Sequence, residues 1–276
     1  MPAPEMHAFI CTTCGTQFAD SAEPPAHCPI CEDERQYVGP SGQAWTTPEA
    51  LAAQHWNGFR RYEPSLMAFA TFPAFGIGQR AFVVRTAGGN VLWDCVAMLD
   101  DATVALIEGL GGLSAIAISH PHYYTTMVDW SRAFGGVPVH LHEADRQWVM
   151  RPDPCLRFWS GERMALGADT VLLRAGGHFA GGTVMHWTGA ADGAGVLLSG
   201  DIAQVAPDRR SVSFLWSYPN MIPLSASVVR AIGARLGTVE FARVYGAFWG
   251  REILGNGSAA VRRSVARIVA KLAEER

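Results

Sequence analysis

The chain has 276 residues, 49% of them apolar and 17% charged, with 29 glycines and a formal net charge of −3. That length suits one large domain, or a small module joined to one of about 230 residues, and the apolar content supplies a sizeable core, so a disulfide-only miniprotein and a disordered chain are both excluded. No basic block interrupts the sequence, and no apolar run approaches the roughly 18 to 20 residues that span a bilayer, so neither a nucleic-acid nor a membrane partner is expected. The opening MPAPEMHAFICTTC has no charged-then-apolar leader, and a cytoplasmic location is expected.

Four of the six cysteines fall within the first 31 residues, as Cys11-x2-Cys14 and, thirteen residues later, Cys28-x2-Cys31. Two thiolates separated by two residues converge on one metal, and two such pairs supply the four sulfurs of a tetrahedral zinc site. Gly15 and Pro29 suit turns that wrap backbone around the sulfurs. A segment of about 40 residues with hardly any apolar core cannot fold by burial alone, so the metal supplies much of its stability. Two disulfides are the alternative, although nothing else points to an oxidising compartment. CTTCGTQF and CPICEDE resemble a rubredoxin-like zinc ribbon. The resemblance implies a structural zinc on Cys11, Cys14, Cys28 and Cys31, with iron as the alternative occupant and no open position for chemistry. His27 beside Cys28 is a substitute ligand, and Cys95 and Cys155, in apolar surroundings, are expected to be packing residues.

Turn formers crowd residues 38–48, VGPSGQAWTTP, and the domain boundary is placed there: a ribbon over 1–40 and a second domain over 41–276. A helix is predicted over 48–59, strands over 81–85, 91–95, 115–119 and 138–141, and a hairpin turn at 87–90 between the first two strands. Helices follow at 101–110 and from 129, then a second set of strands at 171–174, 183–187 and 196–199, which divides the domain into two strand-rich halves. In the tail, Val261, Val265, Ile268 and Leu272 recur at helical intervals and predict a surface helix packed on the core.

Three strand ends carry the chemistry. AIAISHPH, residues 115–122, stops in His120-Pro121-His122, where two imidazoles at i and i+2 can point the same way and Pro121 stiffens the bend. GGHFAGG, residues 176–182, sets His178 among glycines, and VLLSGD, residues 196–201, delivers Asp201 at the end of an apolar run. In this order and spacing the chain resembles the metallo-β-lactamase-fold hydrolases over roughly residues 60–250. The resemblance implies an α+β chain, an αββα sandwich with a zinc ion at the edge of its two sheets held by His120, His122, His178 and Asp201, and Asp94 of VLWD as hydrogen-bond acceptor for a ligand histidine. The chain departs from the family's H-x-H-x-D-H, since Tyr124 and Thr125 stand where the second metal's Asp and His would be, and no histidine lies in VYGAFWG, residues 244–250.

A mononuclear zinc hydrolase is therefore expected, acting on a small ester, thioester or lactone-like substrate through zinc-bound water, with Asp201 accepting the proton and Tyr124 filling the vacant second site or offering its hydroxyl to an oxyanion. Tyr123, Tyr124, Phe179, Trp216, Tyr218, Phe248 and Trp249 fall in loops that the family uses to shape its pocket, which points to an apolar substrate. Arg209 and Arg210 are candidates for a substrate carboxylate or phosphate. The alternative is a non-catalytic ligand- or protein-binding descendant in which the ribbon aids assembly; a homo-oligomer stays open. An iron-loaded oxidoreductase is set aside because such members of the fold use carboxylate-rich dinuclear sites. His140 and His142 are expected to be structural, on alternate faces of a strand, Asp129 to cap a helix beginning at Trp130, and His186 to be a packed strand residue.

Overall fold

The structure, a computed structural model, describes residues 5–190 and 192–274. At the N-terminal end, the strand Ile10–Cys11 pairs antiparallel with Trp45–Thr46. The helix Pro29–Glu32 opens on Cys28, with proline at its first position, where a missing N–H costs nothing. The predicted helix over 48–59 is shorter than expected: it is Pro48–Ala52, capped by the Thr47 hydroxyl. From Trp56 the chain is strand. WNGFRRYE hides this because it is an edge strand with exposed arginines and no clean alternation, and its Gly58 is roofed by the Phe72 ring of the neighbouring strand.

The first sheet runs in chain order through Trp56–Glu63, Leu66–Phe72, Arg80–Thr86, Gly89–Trp93, Ala115–Ala117, Val139–His142 and Leu156–Trp159. Its first four strands form an antiparallel meander, and the last three are parallel to Gly89–Trp93, the switch being made by the crossover helices Asp101–Gly109 and Met127–Ala133. The second sheet orders Arg163–Ala165, Thr170–Arg174, Thr183–Trp187, Val196–Gly200, Arg243–Gly246 and Glu252–Ile253. Its one parallel pairing, Val196–Gly200 with Arg243–Gly246, spans the helix Ala226–Leu236.

Strand alternation sorts the residues into layers. Phe82, Trp93 and Ala117 face Met185, Leu198 and Tyr245 between the sheets. Ile116 and Leu92 turn outward to Val128 and Trp130 of one helix, while Val184 and Leu197 meet Val229, Ile232 and Val261 of the helices Ala226–Leu236 and Gly257–Ala273. The result is the expected αββα sandwich. Val261, Val265 and Ile268 of the tail helix pack on the core as the periodicity predicts.

One fully buried ion pair joins the sheets. Arg80 donates through Nη1 to Glu252 Oε1 at 2.8 Å and through Nε and Nη2 to the Gly246 carbonyl at 3.0 and 2.8 Å, while Tyr62 donates its hydroxyl to the same Glu252 oxygen at 2.7 Å. The Arg80 N–H also binds the Ala247 carbonyl at 2.7 Å, which anchors the loop that carries Phe248.

Candidate metal centre

His120 and His122 lie just past the strand Ala115–Ala117. His120 is extended (φ −170°) and Pro121–Tyr123 forms a single 3-10 turn, so the proline bend brings the two rings onto one side. His178 sits in the glycine turn between two strands of the second sheet. Gly177 there has φ +85°, and a side chain on it would strike Ile232 and Leu224 at 2.7 and 2.8 Å. Asp201 follows Gly200, where the pairing register slips and φ is +50°; a Cβ on Gly200 would lie 2.7 Å from Ser119 Oγ. Each half of the sandwich thus contributes two of the four side chains.

The three imidazoles are buried, and each offers a nitrogen within 4.8 Å of the others. His122 Nδ1 stands 3.3 Å from His178 Nε2. Outward, His178 Nδ1 donates to the Trp216 carbonyl at 2.8 Å and His120 Nδ1 meets Ser119 Oγ at 2.8 Å, so both rings turn Nε2 toward the centre. Asp201 stands beside the triad: Oδ2 is 3.9 Å from His120 Nε2 and accepts the Tyr123 hydroxyl at 2.6 Å. Its backbone carbonyl accepts the Tyr218 hydroxyl at 2.5 Å.

Burial, followed by the neighbouring histidines, holds His120 and His122 well below the usual histidine range, and burial brings His178 down to about 4. All three are therefore neutral, with lone pairs free to bind a cation. Burial raises the Asp201 and Asp94 carboxyls to about 7. His120 Nε2, His122 Nε2 and Asp201 Oδ1 are buried without hydrogen-bond partners. A cluster of three buried imidazoles in which His120 Nε2 has no partner fits a divalent cation, because that nitrogen would otherwise forgo a hydrogen bond out of water.

The four ribbon sulfurs also lie within 4.8 Å of one another, the nearest pairs being Cys11 with Cys31 at 3.6 Å and Cys14 with Cys28 at 3.7 Å, and all are free thiols. Hydrogen bonds from Cys14, Cys28 and Cys31 draw Cys11 well below the usual thiol range, and the Gln43 amide donates to its Sγ at 3.0 Å. His27 turns away to Glu32 at 2.7 Å, so four sulfurs alone close the cluster. Cys95 and Cys155 are buried, as expected, and burial pushes both thiols up.

A cavity of about 120 Å³ opens beside the histidines, lined by His122, Asp201, Tyr218, Phe248, Arg35 and Gln36 among others. Of the aromatics expected in the pocket, Tyr218 and Phe248 line this cavity. Tyr123 is buried behind Asp201 and holds its carboxylate. Tyr124, expected to reach the reacting atoms, lies in the apolar core with Met127 and Leu141 and does not line the cavity. Trp216 serves His178 through its carbonyl, and its ring packs on Arg35. Phe179 packs against all three histidine rings. Trp249 stacks between the sheets with Tyr62 and Phe72.

Other expectations are corrected. Asp94 binds the Ser119 N–H at 2.7 Å and supports His120 through Ser119, not directly. Arg209 pairs with Glu252, and Arg210 is exposed outside the cavity lining. Asp129 is inside the helix Met127–Ala133, bound to Gln17 and Arg151 at 2.6 and 2.7 Å, and caps nothing. His140 and His142, two residues apart on one strand, share a face; His142 caps the following turn and binds the Gly161 carbonyl at 2.9 Å. His186, as expected, is a packed strand residue, and it binds the Glu240 carbonyl at 2.9 Å. A larger open groove, about 650 Å³, lined by Arg146, Val149, Leu156 and Phe158 among others, shares no residue with the histidine site.

Three residues escaped the sequence: Ser119, Arg35 and Gln36. Ser119 directly precedes the His-Pro-His, so adjacency was its only signal, and Arg35 stands in the charged run Glu32-Asp33-Glu34-Arg35, which carries no motif. Ser119→Ala, by removing the hydroxyl on His120 Nδ1, is expected to lower metal affinity about 10- to 100-fold in competition with a chromogenic chelator; unchanged affinity would deny Ser119 an orienting role.

No family model matches the chain. A Bacillus subtilis (strain 168) protein, YmaE, itself described as uncharacterized, is 46% identical over 272 residues, 98% of each chain. Among solved structures, the DIM-1 metallo-β-lactamase exposed to ceftazidime superposes with a TM-score of 0.57 at 13% identity, over 77% of this chain and 97% of that one. The metallo-β-lactamase MIM-1 from Novosphingobium pentaromativorans gives 0.52 at 15% identity, over 79% and 90%. A B3 metallo-β-lactamase with an active-site glutamic acid gives 0.53 at 19% identity, over 79% and 91%. At these identities the likeness establishes the metallo-β-lactamase fold.

Proposed function

The chain belongs to the family of Bacillus subtilis YmaE, and we propose that it is a metal-dependent hydrolase of small ester, thioester or lactone-like substrates, built as a structural metal ribbon over residues 1–40 and a catalytic αββα domain over 41–276. One zinc ion would be held by His120, His122 and His178, with Asp201 beside it, and a second metal by the four cysteines. The observation that carries this is the compact triad of buried neutral imidazoles, with Asp201 standing outside it. Three protein ligands leave a position free, as a catalytic zinc needs and a structural one does not.

A bound divalent cation supplies Lewis acidity, which polarises an acyl oxygen and makes water more acidic. The protein's own residues do the rest. Ser119 and the Trp216 carbonyl fix the imidazole planes. Tyr123 holds Oδ2 of Asp201, leaving Oδ1 to take the proton of the attacking water and return it to the leaving oxygen or sulfur as the acyl bond breaks. Phe248, Tyr218 and Ile77 give the cavity apolar walls, and about 120 Å³ is small beside the roughly 300 to 1,000 Å³ of drug-sized pockets, which favours a short acyl group. Support for a single ion comes from the positions where a second metal would need its ligands. The Tyr124 ring is committed to the core, Thr125 carries a hydroxyl in place of an imidazole, and Phe248 occupies the late segment.

The test is a panel of chromogenic esters, thioesters and lactones with metal-loaded protein. Asp201→Asn is expected to lower kcat about 10²- to 10⁴-fold with little change in metal content. Unchanged turnover would remove Asp201 from the mechanism, and no turnover on any substrate by metal-loaded native protein would favour a ligand-binding descendant instead.

A further inference from the structure

One of the residues that brace His178 comes from the ribbon. Arg35, four positions past Cys31, is buried, and its Nη1 donates to the His178 carbonyl at 3.2 Å. Its Nε and Nη2 form a fork on Asp33 at 2.6 and 2.8 Å, so the ribbon itself supplies the counter-charge. The guanidinium lies 3.9 Å from the Phe179 ring centre, 4.6 Å from Trp216 and 5.2 Å from Trp148. Phe179 is the residue after His178, and Trp216 supplies the carbonyl that holds the His178 ring. Arg35 therefore grips both supports of one imidazole at once.

The ribbon also braces the other histidine turn. Gln17 N–H binds the carbonyl of Thr125, three residues past His122, and a side chain on Gly15 would meet Thr125 at 3.5 Å. Beside the cavity, Asn220 Nδ2 binds the Glu34 carbonyl at 3.1 Å, and Gln36 forms part of the cavity wall. Every one of these contacts comes from the segment that the four thiolates organise. Such a segment has little core of its own and depends on its metal for shape.

We propose that the ribbon is a working part of the histidine site: its bound metal fixes Arg35 as a positioning residue for His178, so that the histidine cluster reaches full metal affinity only when the four cysteines are loaded. This rests on the histidines holding a metal, as proposed above. It assigns the ribbon a coupling role, and loss of the first ion would weaken the second.

Cobalt(II) titration of the full chain separates the two centres, because thiolate ligation gives intense charge-transfer absorption and imidazole ligation only weak ligand-field bands. In native protein a weak band that disappears in the His120→Ala, His122→Ala variant is the histidine signal. Arg35→Ala is expected to weaken cobalt binding in that band about 10- to 100-fold while the thiolate band stays intact, which shows that the ribbon still folds. Arg35→Lys keeps the charge but lacks the planar fork, and is expected to recover only part of the affinity. Cys28→Ser with Cys31→Ser is expected to lose the thiolate band and weaken the histidine band as Arg35→Ala does. A histidine-band affinity within about twofold of native in Arg35→Ala overturns the coupling while leaving the metal centre standing. Absence of the band from native protein overturns the metal centre and the coupling with it.

Discussion

A His120→Ala, His122→Ala double variant is expected to hold one metal per chain where the native protein holds two, with the surviving equivalent on the cysteines, and to lose hydrolytic turnover by about 10³-fold or more. Metal ions contribute several kcal/mol of charge stabilisation in such reactions, and each 1.36 kcal/mol is a factor of ten. The two rings are buried, and truncating them leaves a hole lined by Phe179 and His178, so folding must be checked by circular dichroism alongside elemental analysis. Two equivalents surviving in a folded variant would place the second metal elsewhere.

Glu252→Ala is expected to cost about 3 to 5 kcal/mol in denaturant unfolding, because it leaves the guanidinium of Arg80 uncompensated between the sheets. Replacing both, as Arg80→Met with Glu252→Leu, is expected to cost less than the single change, since no orphan charge remains. Burial pushes the Glu252 carboxyl up, but hydrogen bonds from Tyr62 and Arg80 and the charges of Arg80 and Arg209 outweigh it and leave the group below its usual range. Its contribution is thus fully present above the unfolded value of about 4.3 and fades as the pH falls through the folded one. An unfolding free energy for Glu252→Ala within about 1 kcal/mol of native would mean that water solvates Arg80 in its place.

Much of this architecture was legible because the signals were local. Cys11-x2-Cys14 and Cys28-x2-Cys31 announce a four-sulfur cluster by spacing alone, and apolar runs ending in His120 and Asp201 place those side chains at strand ends. The glycines around His178 marked a turn whose tightness is visible only once Ile232 and Leu224 are packed against Gly177. What could not be read was the outcome of packing between distant segments. The first two strands of the large sheet lacked alternation, the first because it is an exposed edge and the second because it is buried on both faces. Tyr123 and Tyr124, adjacent and chemically alike, are both buried in the core, but only the Tyr123 hydroxyl reaches the Asp201 carboxylate, a difference that composition does not encode. Arg35 reaches His178 across 143 positions of chain, and its charged neighbours look like an ordinary solvated surface.

His120 and His122 belong to the first sheet's half of the molecule and His178 and Asp201 to the second, with the Thr183 N–H bound to the Ser119 carbonyl at 2.8 Å where the halves meet. An ion seated there would act as a rivet across that seam. Any motion that prised the halves apart would empty the centre before either half came undone, so the bound ion would report on closure of the whole molecule.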